Sequence, residues 1–256
     1  MTARLRFSTL KHFASSPAHF AYWHGREMEP SAAMRIGTAV HAAVLGGAPV
    51  VRYDGTRRGK AWDDFEASHP GATILTATEY DTAQACRNAI WYNGEAFKHC
   101  GLGIGINNER LIEWDFNGVP FRSTPDRYYG PSDAATLVEL KTTRSAQPAK
   151  FLRDATSRHY HAQLGVYRAA LASVGVTVAK ALIVAVETVP PYNVTVLELT
   201  DRALDVGYRT ACGWLEQYKV CEASGEWPGY VQGPVTFDIE PEMDLDFSGI
   251  DDAEEA

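Results

Sequence analysis

No run of apolar residues in the 256-residue chain approaches the ~20 needed to cross a bilayer. The first residues, Met-Thr-Ala-Arg-Leu-Arg-Phe-Ser, carry no apolar segment of the signal-peptide kind, so a cytoplasmic protein of a bacterial cell, without a membrane partner, is expected. Cysteine is scarce. Cys86, Cys100, Cys212 and Cys221 lie far apart with no Cys-x-x-Cys pair, which argues against a zinc site and against a disulfide framework. Positive charge is also short, with 24 Lys and Arg against 32 Asp and Glu and a formal net charge of −8. The deficit is local, however. Residues 234–256 hold nine acidic residues and no Lys or Arg, and the remainder is close to neutral, 24 against 23. A nucleic-acid partner is therefore not excluded by charge, because binding depends on where the cations sit. We divide the chain into a domain at 1–232 and an acidic, disordered tail at 233–256.

What is present centres on Pro125-Asp126 and, thirteen residues after that Asp, Glu139-Leu140-Lys141. Residues 136–141 are branched or apolar enough to read as a strand. Side chains two apart share a face of a strand, so Glu139 and Lys141 point one way and Val138 and Leu140 the other. A carboxylate and an ammonium on an apolar strand are costly to bury unless compensated. A surface ion pair on an exposed strand is the plain reading. A divalent cation held by Glu139 with a second carboxylate is the other, and Asp126 is the carboxylate placed to join it. Asp126 is expected to end a hairpin whose first strand is 109–116 and whose turn is Asn117-Gly118, since both turn positions need positive φ.

Along the rest of the chain, Ser8 is expected to cap a short helix, followed by a Ser-Ser-Pro turn and an aromatic helix to residue 26 whose rings serve the core. Residues 31–46 form a helix of small residues with Gly37 one turn before His41. Arg57, Arg58 and Lys60, near Trp62, suit phosphate contact and base stacking. Thr78-Glu-Tyr-Asp81 is expected to cap the next helix. A helix read from Ser157 aligns Tyr160, Gln163, Tyr167 and Leu171 on one stripe. Strands follow at 180–189 and 194–199, then a helix capped by Thr200.

Taken in order, Ser8-Thr-Leu-Lys-His-Phe, Gly37-Thr-Ala-Val-His41, Pro125-Asp126, Glu139-Leu-Lys141 with Thr142-Thr143, and Gln163-Leu-Gly-Val-Tyr167 resemble the PD-(D/E)XK nuclease superfamily. More narrowly they are similar to the RecE-type (exonuclease VIII-like) and RecB-like exonucleases of phages and prophages, over roughly residues 5–230. The resemblance implies an α/β fold with a restriction-endonuclease-like αβββαβ core, a mixed central sheet flanked by helices, and extra N- and C-terminal helices. It implies Mg²⁺ or Mn²⁺ held by His41, Asp126, Glu139 and the Leu140 carbonyl, with Glu109 as further acidic support. Catalytic roles would fall to Asp126, Glu139, Lys141, Gln163 and Tyr167. Thr143 and Tyr160 would join Arg57, Arg58 and Lys60 on DNA. The activity implied is exonucleolytic digestion of linear duplex DNA, 5′ to 3′, in recombination. A single-strand annealing partner and a homo-oligomer accompany some similar enzymes. The alternatives are a single-strand-specific or endonucleolytic nuclease and a non-catalytic DNA-binding or recombinase-recruiting module.

Overall fold

The structure is a computed structural model, described for residues 4–26, 28–101, 106–231 and 233–238. Most of the acidic tail lies outside the described residues. The chain opens with strand β1 (Leu5–Arg6), helix α1 (Phe7–Leu10), a 3₁₀ turn (Lys11–Ala14), α2 (Pro17–Trp23) and α3 (Ala32–Leu45). Next come β2 (Val50–Arg52), α4 (Lys60–Ser68), β3 (Thr73–Leu75), α5 (Ala77–Tyr92) and α6 (Gly94–Cys100). The strands β4 (Ile106–Asn108), β5 (Ile112–Phe116), β6 (Val119–Ser123), β7 (Arg127–Tyr129) and β8 (Ala135–Thr143) follow. After these lie α7 (Pro148–Ser157), α8 (Tyr160–Ser173), β9 (Val178–Glu187), β10 (Val194–Leu199) and α9 (Asp201–Ser224).

The central sheet has the order β10-β9-β8-β7-β4, with β8 and β9 parallel and the other pairs antiparallel. Helices cover both faces. On one, Val138, Leu140, Leu182, Val184 and Val186 pack with Val40 and Val44 of α3 and Cys86 and Ile90 of α5. On the other, Leu137, Ile183 and Ala185 pack with Phe151 of α7 and Leu164 and Leu171 of α8. Leu137 and Leu140 are thus buried on opposite faces, as period-two alternation requires. This is the mixed sheet flanked by helices that the sequence predicts. Among the described residues no helix is long and apolar enough to cross a membrane. Cys86, Cys100 and Cys221 are free and buried.

Several local expectations are corrected. The Asn117-Gly118 hairpin forms, with φ of +49° and +86°, but β5 and β6 join β1 in a separate three-stranded sheet. Asp126 therefore does not end the hairpin; it immediately precedes β7 in the central sheet. Ser8 lies inside α1, whose cap is Arg6. The capping box of α5 is Thr76 with Glu79, two residues earlier than Thr78, because only there can both side chains reach the first turn. The helix read from Ser157 breaks at His159, whose φ of +58° separates α7 from α8.

Helix α8 is held by close backbone contact. A Cβ on Gly165 would lie 2.6 Å from the Leu204 carbonyl oxygen, and one on Gly207 would lie 2.2 Å from the His161 carbonyl oxygen. Neither neighbour can yield, because both are helix backbone. Gly207→Ala is expected to destabilise by about 1–3 kcal/mol through overpacking, lowering Tm by several degrees. Gly213→Ala, on the same helix with open space around it, should be neutral or stabilising by up to about 1 kcal/mol. Thermal melts of both variants check this, and equal effects would show that the α8–α9 contact is not the constraint.

Candidate active site

The site forms where strand pairing stops. β7 begins opposite Val138, so beyond that point β8 has no strand partner on this side among the described residues. Proline at position 125 has no N–H to continue the ladder. The Leu140 peptide groups are satisfied by side chains instead. Its N–H donates to Asp126 Oδ2 at 2.8 Å, and its carbonyl accepts from His41 Nε2 at 2.9 Å. Gly37 lets α3 come near enough for this, since a Cβ there would meet Thr142 Oγ1 at 3.3 Å. His41 Nδ1 lies 3.5 Å from Asp126 Oδ1.

Glu139 and Lys141 do share a face, as the spacing predicts. Lys141 Nζ donates to Glu139 Oε1 at 2.6 Å, and Gln163 Nε2 donates to the same oxygen at 2.7 Å. Glu139 is 1% exposed, so this is a buried pair rather than a surface one. The other hydrogen of Gln163 Nε2 reaches Tyr167 Oη at 3.1 Å. Gln163 and Tyr167, one turn apart on α8, thus brace the carboxylate. Lys141 Nζ also lies 4.9 Å from the centre of the Tyr160 ring. Glu109 was expected on the first hairpin strand. It instead sits before that strand at φ +45°, its N–H bonded to the Asp126 carbonyl, and with His41 and Gly37 it lines a cleft of about 300 Å³.

Burial dominates the electrostatics. It pushes the Asp126 carboxyl up to about 6, against the opposing pull of Lys141 and the Leu140 N–H. Burial, with the neighbouring Asp126 charge, pushes Glu139 up to about 7, again against Lys141. Burial likewise lowers the His41 pKa, and Lys141 adds to the effect, so the imidazole is neutral. Lys141 runs the other way: burial would lower its pKa, but Glu139 and Asp126 together outweigh it and hold it above the ordinary value. These surroundings therefore do not lower the lysine into the range of a general base. Lys141 is a fixed cation.

Among the described residues no three His, Cys, Asp or Glu side chains already stand grouped to hold a metal ion. The donors instead occupy one another. The donor set nonetheless suits a hard divalent cation. Glu139 Oε2 is buried with no hydrogen-bond partner among the described residues. Since the Leu140 carbonyl can only accept, neutral His41 carries its proton on Nε2, and its Nδ1 lone pair faces Asp126 Oδ1. An unpaired carboxylate oxygen and two facing acceptors are both positions that a cation, or a shared proton, relieves.

The proposed DNA contacts fare differently. Arg57 is turned inward: its guanidinium donates to the Ile74 carbonyl at 2.6 Å and to Glu79 Oε2 at 2.9 Å. Glu79 also takes Arg35, so the three charges tie α3 to α5, and Arg57 is structural rather than a phosphate ligand. Lys60 pairs with Asp64 at 3.0 Å, and Arg58 is exposed. Thr143 Oγ1 bonds the Ser145 backbone in the turn after β8. Sequence reasoning missed Arg127, 2% exposed, which anchors β7 through Asn108 and the carbonyls of His99 and Gly101. An arginine directly after the Pro-Asp pair was its only signal.

A mixed sheet with Pro-Asp beside one strand and Glu-x-Lys on the next, flanked by helices, defines the fold class of the PD-(D/E)XK nucleases. Residues 6–234 match the family model described as a PDDEXK-like domain of unknown function (DUF3799), and the chain belongs to that family. Among solved structures, the protein from Eubacterium rectale named "Putative exonuclease" superposes with a TM-score of 0.64 at 15% identity, over 91% of both chains, which shows the shared fold. A second, of SSO0001, aligns over 80% of this chain and 84% of its own at 13% identity, with a TM-score of only 0.27. No curated protein sequence matches the chain.

The raised carboxyls have a defined consequence for stability. Asp126 and Glu139 hold protons more tightly folded than unfolded. Their contribution is complete below the ordinary carboxylate range, about pH 4, and is lost as pH rises through about 6 to 7. His41, lowered on folding, contributes in the opposite sense, so the difference between two variants is the useful quantity. In EDTA, Glu139→Gln should gain stability relative to wild type as pH rises from about 5 to about 8. Parallel Tm-versus-pH curves for the two proteins would show that Glu139 carries no such penalty.

Proposed function

We propose that the chain is a divalent-metal-dependent deoxyribonuclease that hydrolyses phosphodiester bonds of linear DNA. The observation that carries this reading is the buried Glu139–Lys141 pair, braced by Gln163, beside Asp126 and with one carboxylate oxygen left unpartnered. A structural ion pair gains nothing from an orphaned buried oxygen, whereas a metal-binding carboxylate needs one free. His41, Asp126, Glu139 and the Leu140 carbonyl would hold Mg²⁺ or Mn²⁺, and the imidazole donor suits Mn²⁺. When bound, such an ion supplies Lewis-acid activation of the phosphodiester and a water of lowered pKa.

The remaining chemistry belongs to the side chains. Lys141, a cation with Glu139 at its back, orients the attacking water and offsets charge on the scissile phosphate. Gln163 uses both amide hydrogens on Glu139 and Tyr167, so its part is to fix the carboxylate rather than to grip DNA. Burial holds the Tyr167 phenol protonated far above neutrality, which keeps it a hydrogen-bonding partner and no base. Glu109 adds negative charge at the mouth of the cleft.

The finer assignment is exonucleolytic digestion of duplex ends, 5′ to 3′, in phage or prophage recombination, by a cytoplasmic enzyme formed by residues 1–232. It rests on the ordered set of motifs from Ser8 to Tyr167. The acidic segment 233–256 is dispensable for chemistry and is the segment available to an annealing protein or recombinase; self-assembly into a homo-oligomer belongs to the same reading.

End-labelled linear duplex and closed circular DNA should be incubated with Mg²⁺, Mn²⁺ or EDTA. Loss of the linear substrate alone, with metal alone, is expected. Lys141→Ala should lower kcat by about 10²–10³-fold at nearly unchanged DNA affinity. Cleavage of closed circles would favour an endonuclease. No cleavage with any metal would overturn the enzyme reading.

A further inference from the structure

Of the cations anticipated at Arg57–Lys60, Arg57 and Lys60 are held by carboxylates and Arg58 stays exposed; another cationic surface adjoins Tyr160, beside Lys141. A cleft of about 380 Å³ opens between the 3₁₀ turn at Lys11–Ala14 and the junction of α7 with α8. Lys11, His12, Arg158, His159 and Tyr160 line it, and no carboxylate does. Tyr160 is shared with the catalytic cluster, since its ring carries Lys141 Nζ 4.9 Å from the centre. Among the described residues, the side chains of Lys11, His12, Arg158 and His159 form no hydrogen bond or ion pair, whereas Arg52, Arg57 and Lys60 are each held by an acid. Burial, and then the charges of Lys141 and Arg158, lower the Lys11 pKa. Lys141 is paired with Glu139, but Lys11 and Arg158 have no such counter-charge among the described residues, and cations that repel one another in this way are a cost unless an anion arrives.

Beyond the cleft lies an aromatic surface. The Trp23 ring stacks on His12, 5.8 Å between centroids at 24°. Tyr22 meets Trp23 edge-on at 4.9 Å, is 52% exposed, and carries Arg26 over its face at 4.0 Å. The sequence assigned these rings to the core. The structure buries Phe20 from the same helix and leaves Tyr22 in solvent. Cations flanked by aromatic faces are the composition of a single-strand track, where phosphates are neutralised and bases stack.

We propose that the Lys11–Arg158 cleft is a phosphate-binding subsite for the nucleic-acid strand that enters or leaves the catalytic cluster, and that Trp23 and Tyr22 stack the base next to that phosphate. The proposal deepens the nuclease reading and rests on it. It names Lys11 and Arg158 as the phosphate contacts, His12 and His159 as neutral hydrogen-bond partners, and Tyr160 as the link to Lys141.

Binding is measured without cleavage, by fluorescence anisotropy of labelled single-stranded oligonucleotides in EDTA over a salt series, using the full chain. The double variant Lys11→Gln, Arg158→Gln should bind about tenfold or more weakly at low salt, with a salt slope smaller by about one to two charges. Trp23→Ala should weaken binding by about five- to a hundredfold with little change in slope. Arg158→Lys should retain binding and Lys219→Gln should leave it unchanged, with thermal melts confirming that each variant folds. Oligonucleotides with a 5′ phosphate and a 5′ hydroxyl, with inorganic phosphate as competitor, separate a terminal monoester from an internal diester. Wild-type affinity and slope in the double variant, or no binding by wild type, overturns the proposal. Failure of the nuclease reading shows separately, as absence of metal-dependent cleavage.

Discussion

One residue whose backbone has no strand partner on this side among the described residues, Leu140, organises this site. Because β7 begins only opposite Val138, the N–H and carbonyl of Leu140 face a gap in the sheet. Burying either group without a partner would cost about 1–3 kcal/mol. Asp126 accepts from one and His41 donates to the other. The strand edge thus draws a carboxylate from the sheet and an imidazole from α3 to the same two atoms. The adjacent residue, Glu139, points to the opposite helical layer and is fixed there by α8. A fold that paired β8 along its full length would satisfy Leu140 with backbone and have no reason to hold Asp126 and His41 together.

The same economy explains why the cluster is electrostatically unsettled. Two carboxylates are buried, Lys141 is only partly so with 18% of its side chain exposed, and Lys141 opposes the negative charge directly. Both carboxyls therefore bind protons more tightly than usual, and Glu139 keeps an oxygen that no described residue satisfies. By contrast, Glu79 shows how a purely structural acid is treated. Burial raises its pKa, but Arg35, Arg57 and the Thr76 N–H outweigh that, and both oxygens are used. Glu79 thus has both oxygens satisfied by the fold, and Glu139 has one that is not, among the described residues.

Much of this was legible in the residues because the signals are short-range. The parity of Glu139 and Lys141, the Gly37–His41 spacing and the Gln163–Tyr167 turn follow from periods of 2 and 3.6, and the Asn117-Gly118 turn from the positive φ its two positions need. What was not legible depends on which element pairs with which. The hairpin was expected to deliver Asp126 into the central sheet, but β6 pairs with β1, a partner more than a hundred residues away. Arg57 looks like a surface cation until α5 places Glu79 under it. Lys11 and Arg158, 147 positions apart, become neighbours only through the packing of the N-terminal turn against the α7–α8 junction.

Charge placement resolves the mismatch between an acidic chain and a polyanionic substrate. The net charge of −8 falls on the C-terminal segment, and elsewhere acids and bases nearly cancel. Cancellation is achieved pairwise: Arg52 with Asp54, Lys60 with Asp64, Arg168 with Asp201 and Asp205, Lys219 with Glu216. Such exposed pairs add little stability, about 0–1 kcal/mol each, but they remove those cations from the long-range field. The field that remains comes from cations without a paired acid, and among the described residues those lining the cleft beside Tyr160 are Lys11 and Arg158. Within about a Debye length, roughly 8–10 Å, a phosphate senses this local excess rather than the chain average. An overall acidic balance is then compatible with DNA as substrate, and it limits sequence-independent adhesion elsewhere on the surface.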